Sequence, residues 1–516
     1  MLFTYIKNPM NKRVVYIFAF VSLLVPTAYR ARADSNLPNV LIILADDVGF
    51  GDIPANYPEA LVPMPNVQRL ADNGVRFLDA HSTSAVCAPT RYSLLSGNYP
   101  WRGRRPYGTW NYNGGTQFKN GQISLAQMLK DVGYNTSMFG KVHLGAHVQP
   151  REEGASFDEN WHPHPKTLDF TRPLVGGPKD LGFDYSFTTP AGIQDNPYAY
   201  FENDVMVEDP ETLIRWTAGN YHNENGFSSI NRKHDGWGVP NWESNSYAID
   251  MLIRAMGFLD RHVESNKASG EDHPFFMHYC AAAVHVPHSP PEDFFGTPVL
   301  DQTPSHHLDM LLELDLTVGK LIRELEVRGL LENTLVIFTS DNGGLGYSDK
   351  LGHDASGGFR GNKVSVYEGG HRIPMIMSWV KGGIPMGVTY ESLTGIQDLY
   401  KTIADVANVE VPAEQAIDSL SFKPQLFGEV QTPHRTNQMA QTIKRKGDLA
   451  YRKNEWKLIM KVDGQPFEFY NLAQDSAEEN NLLNNPEFAS KIKQVHREFM
   501  ELDPTGLIRS NTKNKN

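Results

Sequence analysis

Val40-Leu41-Ile42-Ile43-Leu44-Ala45-Asp46-Asp47 is a run of branched apolar residues that ends in an alanine and two carboxylates. Apolar residues without alternation leave no face for water, so the run predicts a short parallel strand buried on both sides. Asp46 and Asp47 then stand at its carboxyl end, where open α/β sheets hold their ligands. The pattern recurs at residues 334–339, followed by Ser340-Asp341-Asn342-Gly343-Gly344, and more weakly at 274–283, followed by Val284 and His285. Helical patterns lie between these runs, at 67–73, 124–132 and 308–328. In the last, Leu311, Leu314, Leu316, Val318, Leu321, Ile322 and Leu325 recur at three- and four-residue spacing. Strands alternating with helices predict an α/β fold, with a mostly parallel central sheet sandwiched by helices.

Residues 145–245 are rich in Pro, Gly, Asn, Trp and His and show little periodicity, which predicts a long irregular insertion over the active-site face. Beyond about residue 430, short alternating runs at 449–452, 456–460 and 467–470, with Asp463-Gly464 as a turn, predict a small antiparallel sheet. With 516 residues the chain has room for two or three domains. The expected organisation is a leader over 1–33, a catalytic α/β domain over 34–430 and a C-terminal α+β subdomain over 431–516.

The leader reading rests on Lys12 and Arg13 ahead of an apolar run at 14–25, with Ala31-Arg32-Ala33 as a small-x-small cleavage site. Roughly 20 apolar residues are needed to span a bilayer, so export with cleavage to the periplasm or beyond is expected, without a stable membrane anchor. Starts at Met1 and Met10 both remain open. Removing 1–33 takes away five basic residues and no acidic one, moving the formal charge from −12 to −17. So acidic a chain is not expected to bind nucleic acid. The two cysteines, Cys87 and Cys280, are too few for a disulfide framework in an exported chain of this size.

Asp46, Asp47, Asp341 and Asn342 form a hard-oxygen set that suits Ca²⁺ or Mg²⁺ rather than zinc. On composition alone, a helix cap at Asp-Asp and a turn at Asp-Asn-Gly-Gly account for them equally well.

Cys87-Ala88-Pro89-Thr90-Arg91 followed by Leu94-Leu95-Ser96-Gly97 resembles the signature of the type I sulfatase family, in which the Cys of C-x-P-x-R is oxidised to formylglycine (3-oxoalanine). The resemblance covers nearly the whole mature chain. It takes in residues 41–52, Gly140-Lys141-Val142-His143, His285-Val286-Pro287, Asp341-Asn342-Gly343-Gly344, the stretch from Gly361-Asn362-Lys363 to Glu368-Gly369-Gly370-His371-Arg372-Ile373-Pro374, and the tail. It implies an alkaline-phosphatase-like fold and a sulfuric ester hydrolase. Residue 87 would need a formylglycine-generating maturation enzyme. One hydroxyl of its hydrated aldehyde would attack sulfur, and the second would expel sulfate and restore the aldehyde.

Carried over by position, Asp46, Asp47, Asp341, Asn342 and residue 87 would hold one Ca²⁺. Arg91 would orient the diol, Lys141 and Lys363 would grip the sulfate, His143 would act as base in sulfate release and His285 would protonate the leaving alcohol. Asp341 is a further candidate for the attacking hydroxyl's proton. His288 competes with His285, and His353 and His371 stay undecided. Trp101, Arg102, Arg104, Trp110, His147, Trp161, His162 and His164 suggest either a sugar-stacking platform or an insertion packed on itself. The expected substrate is a sulfated carbohydrate such as an ulvan or carrageenan oligosaccharide. A phosphoesterase or phosphonate hydrolase of the same superfamily and a non-catalytic carbohydrate-binding relative are the alternatives.

Overall fold

The computed structural model describes residues 37–157, 163–217, 235–442, 447–502 and 504; the expected leader, Trp161 and His162 lie outside them. A central sheet has ten strands. In chain order they are β1 (Asn39–Ala45), β2 (Val75–Phe77), β3 (Asn135–Lys141), β4 (Tyr185–Thr189), β5 (Phe201–Glu202), β6 (Val205–Met206), β7 (Phe275–Cys280), β8 (Thr334–Ser340), β9 (Met375–Ser378) and β10 (Val388–Tyr390). Across the sheet they stand in the order β10-β2-β9-β8-β1-β7-β3-β4-β5-β6. The five central strands, β8, β1, β7, β3 and β4, are parallel throughout. Antiparallel pairing enters where β9 joins β8 and where β5 joins β4.

The central strand β1 is buried along its whole length, as its unbroken apolar run requires. Alternate side chains enter two cores. Leu41 and Ile43 pack with Val67 and Leu70 of α1 (Pro65–Asp72) on one face of the sheet. The same core holds Leu252 of the helix at Tyr247–Ser269 and Leu311 and Leu314 of the helix at His306–Val327. On the other face Val40, Ile42 and Leu44 meet Tyr92 and Leu94 of α2 (Cys87–Ser96), Leu125 and Leu129 of α3 (Leu125–Asp131) and Leu399 and Ile403 of the helix at Asp398–Val406. Each such fully buried aliphatic side chain contributes about 1.5–3 kcal/mol. Ser124 caps α3 by accepting from the Gln127 N–H at 2.9 Å.

Three strands come from the stretch expected to be irregular. β4, β5 and β6 extend the sheet from within 145–245, with β4 parallel to β3. The local sequence Tyr-Ser-Phe-Thr-Thr is itself rich in strand formers, and β3 offers it an edge to pair with.

The small second sheet is antiparallel, in the order Asn437–Gln441, Asp448–Lys453, Trp456–Lys461, Pro466–Asn471. Ile492, Val495 and Phe499 of the helix at Ala489–Glu501 cover one face of it, together with Tyr99 and Trp101 from the larger unit. Its first strand reaches the active-site segment: the Ala85 N–H donates to the Gln441 carbonyl at 2.9 Å, and the Gln441 N–H donates to the Thr83 carbonyl at 3.2 Å.

Candidate active site

β1 and β8 are adjacent and in register, with Ala45 opposite Ser340. The residues that follow them, Asp46-Asp47 and Asp341-Asn342, therefore emerge side by side although nearly 300 positions separate them. All four are fully buried. The Asp47 N–H donates to Asp341 Oδ1 at 3.2 Å, and Asn342 Nδ2 donates to Asp47 Oδ1 at 2.9 Å. Asp47 has a φ of +69°, a left-handed conformation that aspartate tolerates better than most residues.

Cys87 opens α2, a helix whose every residue is buried. Pro89 stands in its first turn, where backbone N–H groups have no partner inside the helix in any case. One turn on, Arg91 is held by both strand ends. Its Nε and Nη2 donate to Asp341 Oδ2 at 2.9 and 2.6 Å, its Nη1 donates to the Lys141 carbonyl at 3.0 Å, and Nη2 lies 3.7 Å from Asp46 Oδ1.

β3 delivers the basic pair. Gly140 has a φ of +93°, and a Cβ there would come 1.9 Å from the Cys280 carbonyl oxygen, so only glycine lets the chain turn off beside β7. Lys141 then reaches Asp46 Oδ2 at 2.7 Å, and His143 brings Nδ1 to 3.3 Å from Cys87 Sγ. Lys363 reaches Asp47 from the opposite side, 2.6 Å from Oδ1. Three carboxylates thus face three cations, one to one.

His285 follows β7 and points Nε2 at Asp47 Oδ2, 3.7 Å away. Its Nδ1 lies 2.7 Å from the Val286 carbonyl, which can only accept, so Nδ1 carries a proton. His288, its competitor, is buried against the rings of His307 and Tyr347.

Burial and neighbouring charge set the titration behaviour. Burial pushes the Cys87 thiol up, and Lys141 and Lys363 offset only part of that rise. Burial, Lys141, Arg91 and Lys363 all hold His143 well below the usual histidine range, leaving it neutral. Burial raises Asp46, but Lys141, Arg91 and Lys363 outweigh it and leave this carboxyl lowered. Burial and the Asp46 charge push Asp341 up to about 7.

The donor set suits a hard cation. Asp46 Oδ1 and Asn342 Oδ1 are buried oxygens without a hydrogen-bond partner among the described residues, a costly arrangement unless something else engages them. Ligand atoms of Asp46, Cys87 and Asp341 lie within 4.8 Å of one another, as do those of Asp46, Asp47 and His285. These oxygens make a candidate divalent-metal group.

Other candidates have different work. His353 Nε2 donates to Asp52 Oδ1 at 2.7 Å while its Nδ1 accepts from the Leu61 N–H at 3.3 Å, and Asp52 Oδ2 accepts from the Gly49 N–H at 2.6 Å. This pair braces the turn after Asp47; the Gly49-x-x-Asp52 spacing is the one local signal for it. His371 belongs to a separate buried ionic network with His81, Glu368 and Lys457. Trp101 stacks on Tyr99, Arg102 pairs with Asp418 at 2.5 Å, and Trp110 is buried in the second core, so these three pack within the protein. His147 stacks on Phe157, His164 meets Trp237 edge-on, and exposed Arg104 donates to the Thr116 carbonyl. Gln441 had no signal in the sequence. Cys87 and Cys280 are both free.

A buried site of paired carboxylates and cations around one cysteine, at the carboxyl ends of parallel strands, defines a hydrolase of anionic esters. The chain belongs to the sulfatase family, whose model, described as sulfatase, matches residues 38–409. A model described as N-sulphoglucosamine sulphohydrolase, C-terminal, matches 358–504. An N-acetylgalactosamine-6-O-sulfatase of Bacteroides thetaiotaomicron is 30% identical, the match covering 91% of this chain and 93% of that one. Arylsulfatase G of Rattus norvegicus is 30% identical, over 77% of this chain and 70% of its own. A solved structure from work on glycosaminoglycan metabolism by Bacteroides thetaiotaomicron superposes with a TM-score of 0.74 at 26% identity, covering 91% of this chain and 99% of that one. The protein is accordingly a sulfuric ester hydrolase.

Proposed function

We propose that this protein is a formylglycine-dependent, calcium-binding sulfatase that removes sulfate from a sulfated hexosamine, such as a 6-O-sulfated N-acetylhexosamine of a glycosaminoglycan oligosaccharide. The observation that carries the reading is Cys87, seated 3.3 Å from His143 among Arg91, Lys141 and Lys363. A thiol pushed up by burial is a poor thiolate nucleophile, which supports a cysteine that is converted rather than used as it stands. The sugar is suggested by the name of the Bacteroides relative, and it is preferred to ulvan or carrageenan on that ground.

The hydrated aldehyde at residue 87 would supply a nucleophilic hydroxyl, whose proton would pass to Asp341 as it attacks sulfur, and a second hydroxyl whose deprotonation would release the sulfate. Asp46, Asp47, Asp341 and Asn342 would hold the calcium, which supplies positive charge against a sulfate oxygen. Lys141 and Lys363 turn from their carboxylates to the sulfate oxygens, where charge builds in the transition state. His285 would give a proton from Nε2 to the leaving alkoxide. His143, kept neutral by its surroundings, is competent to take the proton of the second hydroxyl. Arg91 holds the helix that carries residue 87 against Asp341. Export to the periplasm or beyond and a separate maturation enzyme complete the reading. Among the described residues no helix is long and apolar enough to cross a membrane.

The test pairs mass spectrometry of the peptide that contains residue 87 with sulfate release from 6-O-sulfated N-acetylgalactosamine. The formylglycine mass and activity that is lost in Cys87→Ala are expected. An unmodified thiol in active enzyme refutes the mechanism, and a large preference for 4-nitrophenyl phosphate over the matching sulfate refutes the class.

A further inference from the structure

The loop that carries Lys363 contains a backbone anomaly that the reaction leaves unexplained. Asn362, Lys363, Val364 and Ser365 form a hydrogen-bonded β-turn: the Ser365 N–H donates to the Asn362 carbonyl at 3.0 Å, and Val364, its third residue, has a φ of +78°. Lys363 is not left-handed, so the turn is of type II, whose third position favours glycine or asparagine. Among the described residues eleven non-glycine positions have positive φ, and Val364 is the sole β-branched one, the residue type for which this conformation is a true outlier.

Surrounding contacts hold the turn in place. The Lys363 N–H donates to the Gly344 carbonyl at 2.9 Å and the Val364 N–H donates to the Ala85 carbonyl at 2.8 Å, while Ser356 Oγ donates to the Gly361 carbonyl at 2.6 Å. Strain that persists because its surroundings dictate it is concentrated at functional sites. Asp47 at +69° and His143 at +53° are two other left-handed residues of this same site. A glycine would serve the turn better, so what valine adds is its side chain. Val364 is 45% exposed. It directly follows Lys363, whose ammonium contacts Asp47, and its own N–H is tied to Ala85, two residues before Cys87.

We propose that Val364 is a specificity-determining residue: its isopropyl group is an apolar shelf at the rim of the site, on which the C–H face of the sulfated pyranose rests while Lys363 holds the sulfate. The proposal rests on the sulfatase reading above. Placing charge and shelf on consecutive residues of one pinned turn fixes the spacing between sulfate and ring.

Val364→Gly tests it by removing shelf and strain together. The KM for 6-O-sulfated N-acetylgalactosamine is expected to rise about tenfold, the discrimination that one or two apolar groups in a pocket provide, with kcat within about twofold. Inorganic sulfate, which meets the charged groups and not the shelf, should keep its inhibition constant within about twofold, and the thermal midpoint should not fall. Val364→Asn, also tolerant of the turn, should show the same rise in KM. Unchanged KM in both variants overturns the proposal. So does a parallel rise in the sulfate inhibition constant, because the residue would then act only by placing Lys363. Wild-type enzyme that hydrolyses no sulfate ester refutes the sulfatase reading before any variant is compared, and this proposal with it.

Discussion

Replacing Arg91 by methionine keeps most of the side chain's apolar stem and deletes its charge from a site where it is 1% exposed. Three N–H contacts go with it, two to Asp341 Oδ2 and one to the Lys141 carbonyl. Removing one partner of a buried ion pair costs about 3–5 kcal/mol, because the other charge is left uncompensated. The orphaned carbonyl adds about 1 kcal/mol, so Arg91→Met should destabilise the fold by about 4–6 kcal/mol. Arg91→Met combined with Asp341→Asn removes both charges and should cost less than the sum of the single changes by about 2–3 kcal/mol. Urea denaturation of the four proteins in the presence of a chelator measures this coupling with no cation contributing. Costs that add within about 0.5 kcal/mol would refute the view that Asp341 is what Arg91 is there to balance. A second readout follows from Asp341, which burial and Asp46 raise to about 7 while Arg91 pulls it down. Without Arg91 it rises further, stays protonated near neutrality, and calcium affinity measured by titration calorimetry should fall.

Chelation should abolish sulfate release and lower the thermal midpoint, and added calcium should restore both. A midpoint that responds to neither calcium nor magnesium would rule out Asp46 Oδ1 and Asn342 Oδ1 as cation ligands. Glu313 is buried and pushed up to about 8 by desolvation alone. The fold therefore keeps a proton that the unfolded chain has lost, and stability falls as pH rises from about 4.5 to 8, by at most ~1.4 kcal/mol per pH unit. Glu313→Gln should make denaturation midpoints taken at pH 5, 6, 7 and 8 fall less steeply, Asp341 still contributing to the slope, and an unaltered slope would show that Glu313 is not one of its sources. Lys457 lies 2.9 Å from both Glu368 and Glu478 and 3.1 Å from His371 Nε2. Lys457→Met should cost about 3–5 kcal/mol and make the second sheet the first region to exchange its amide hydrogens, a pattern that deuterium-exchange mass spectrometry would detect or exclude.

Much of this was legible in the chain itself. An unbroken apolar run fits the middle of a sheet covered on both faces, so β1 and β8 with the carboxylates at their ends, and more weakly β7 with His285 beyond it, follow from residues within a few positions of one another. Helical spacing fixed the helix at His306–Val327 to within two residues. The family signature around Cys87 named the partners that the fold then brings to one point.

Packing decided the rest, because it depends on contacts between residues far apart in sequence. β4 pairs with the open edge of β3, and β5 and β6 then extend the sheet antiparallel from β4. His285 faces Asp47 while His288 packs against His307, although only two residues lie between them. On sequence alone Trp101 and Arg102 suit a sugar platform and a self-packed insertion equally, and Tyr99 and Asp418 claim them for packing. Local sequence sets which element forms and which residues stand at its end. The direction each side chain then faces, and the strain at Asp47, His143 and Val364, are imposed by neighbours up to hundreds of positions away, and only the assembled structure contains that information.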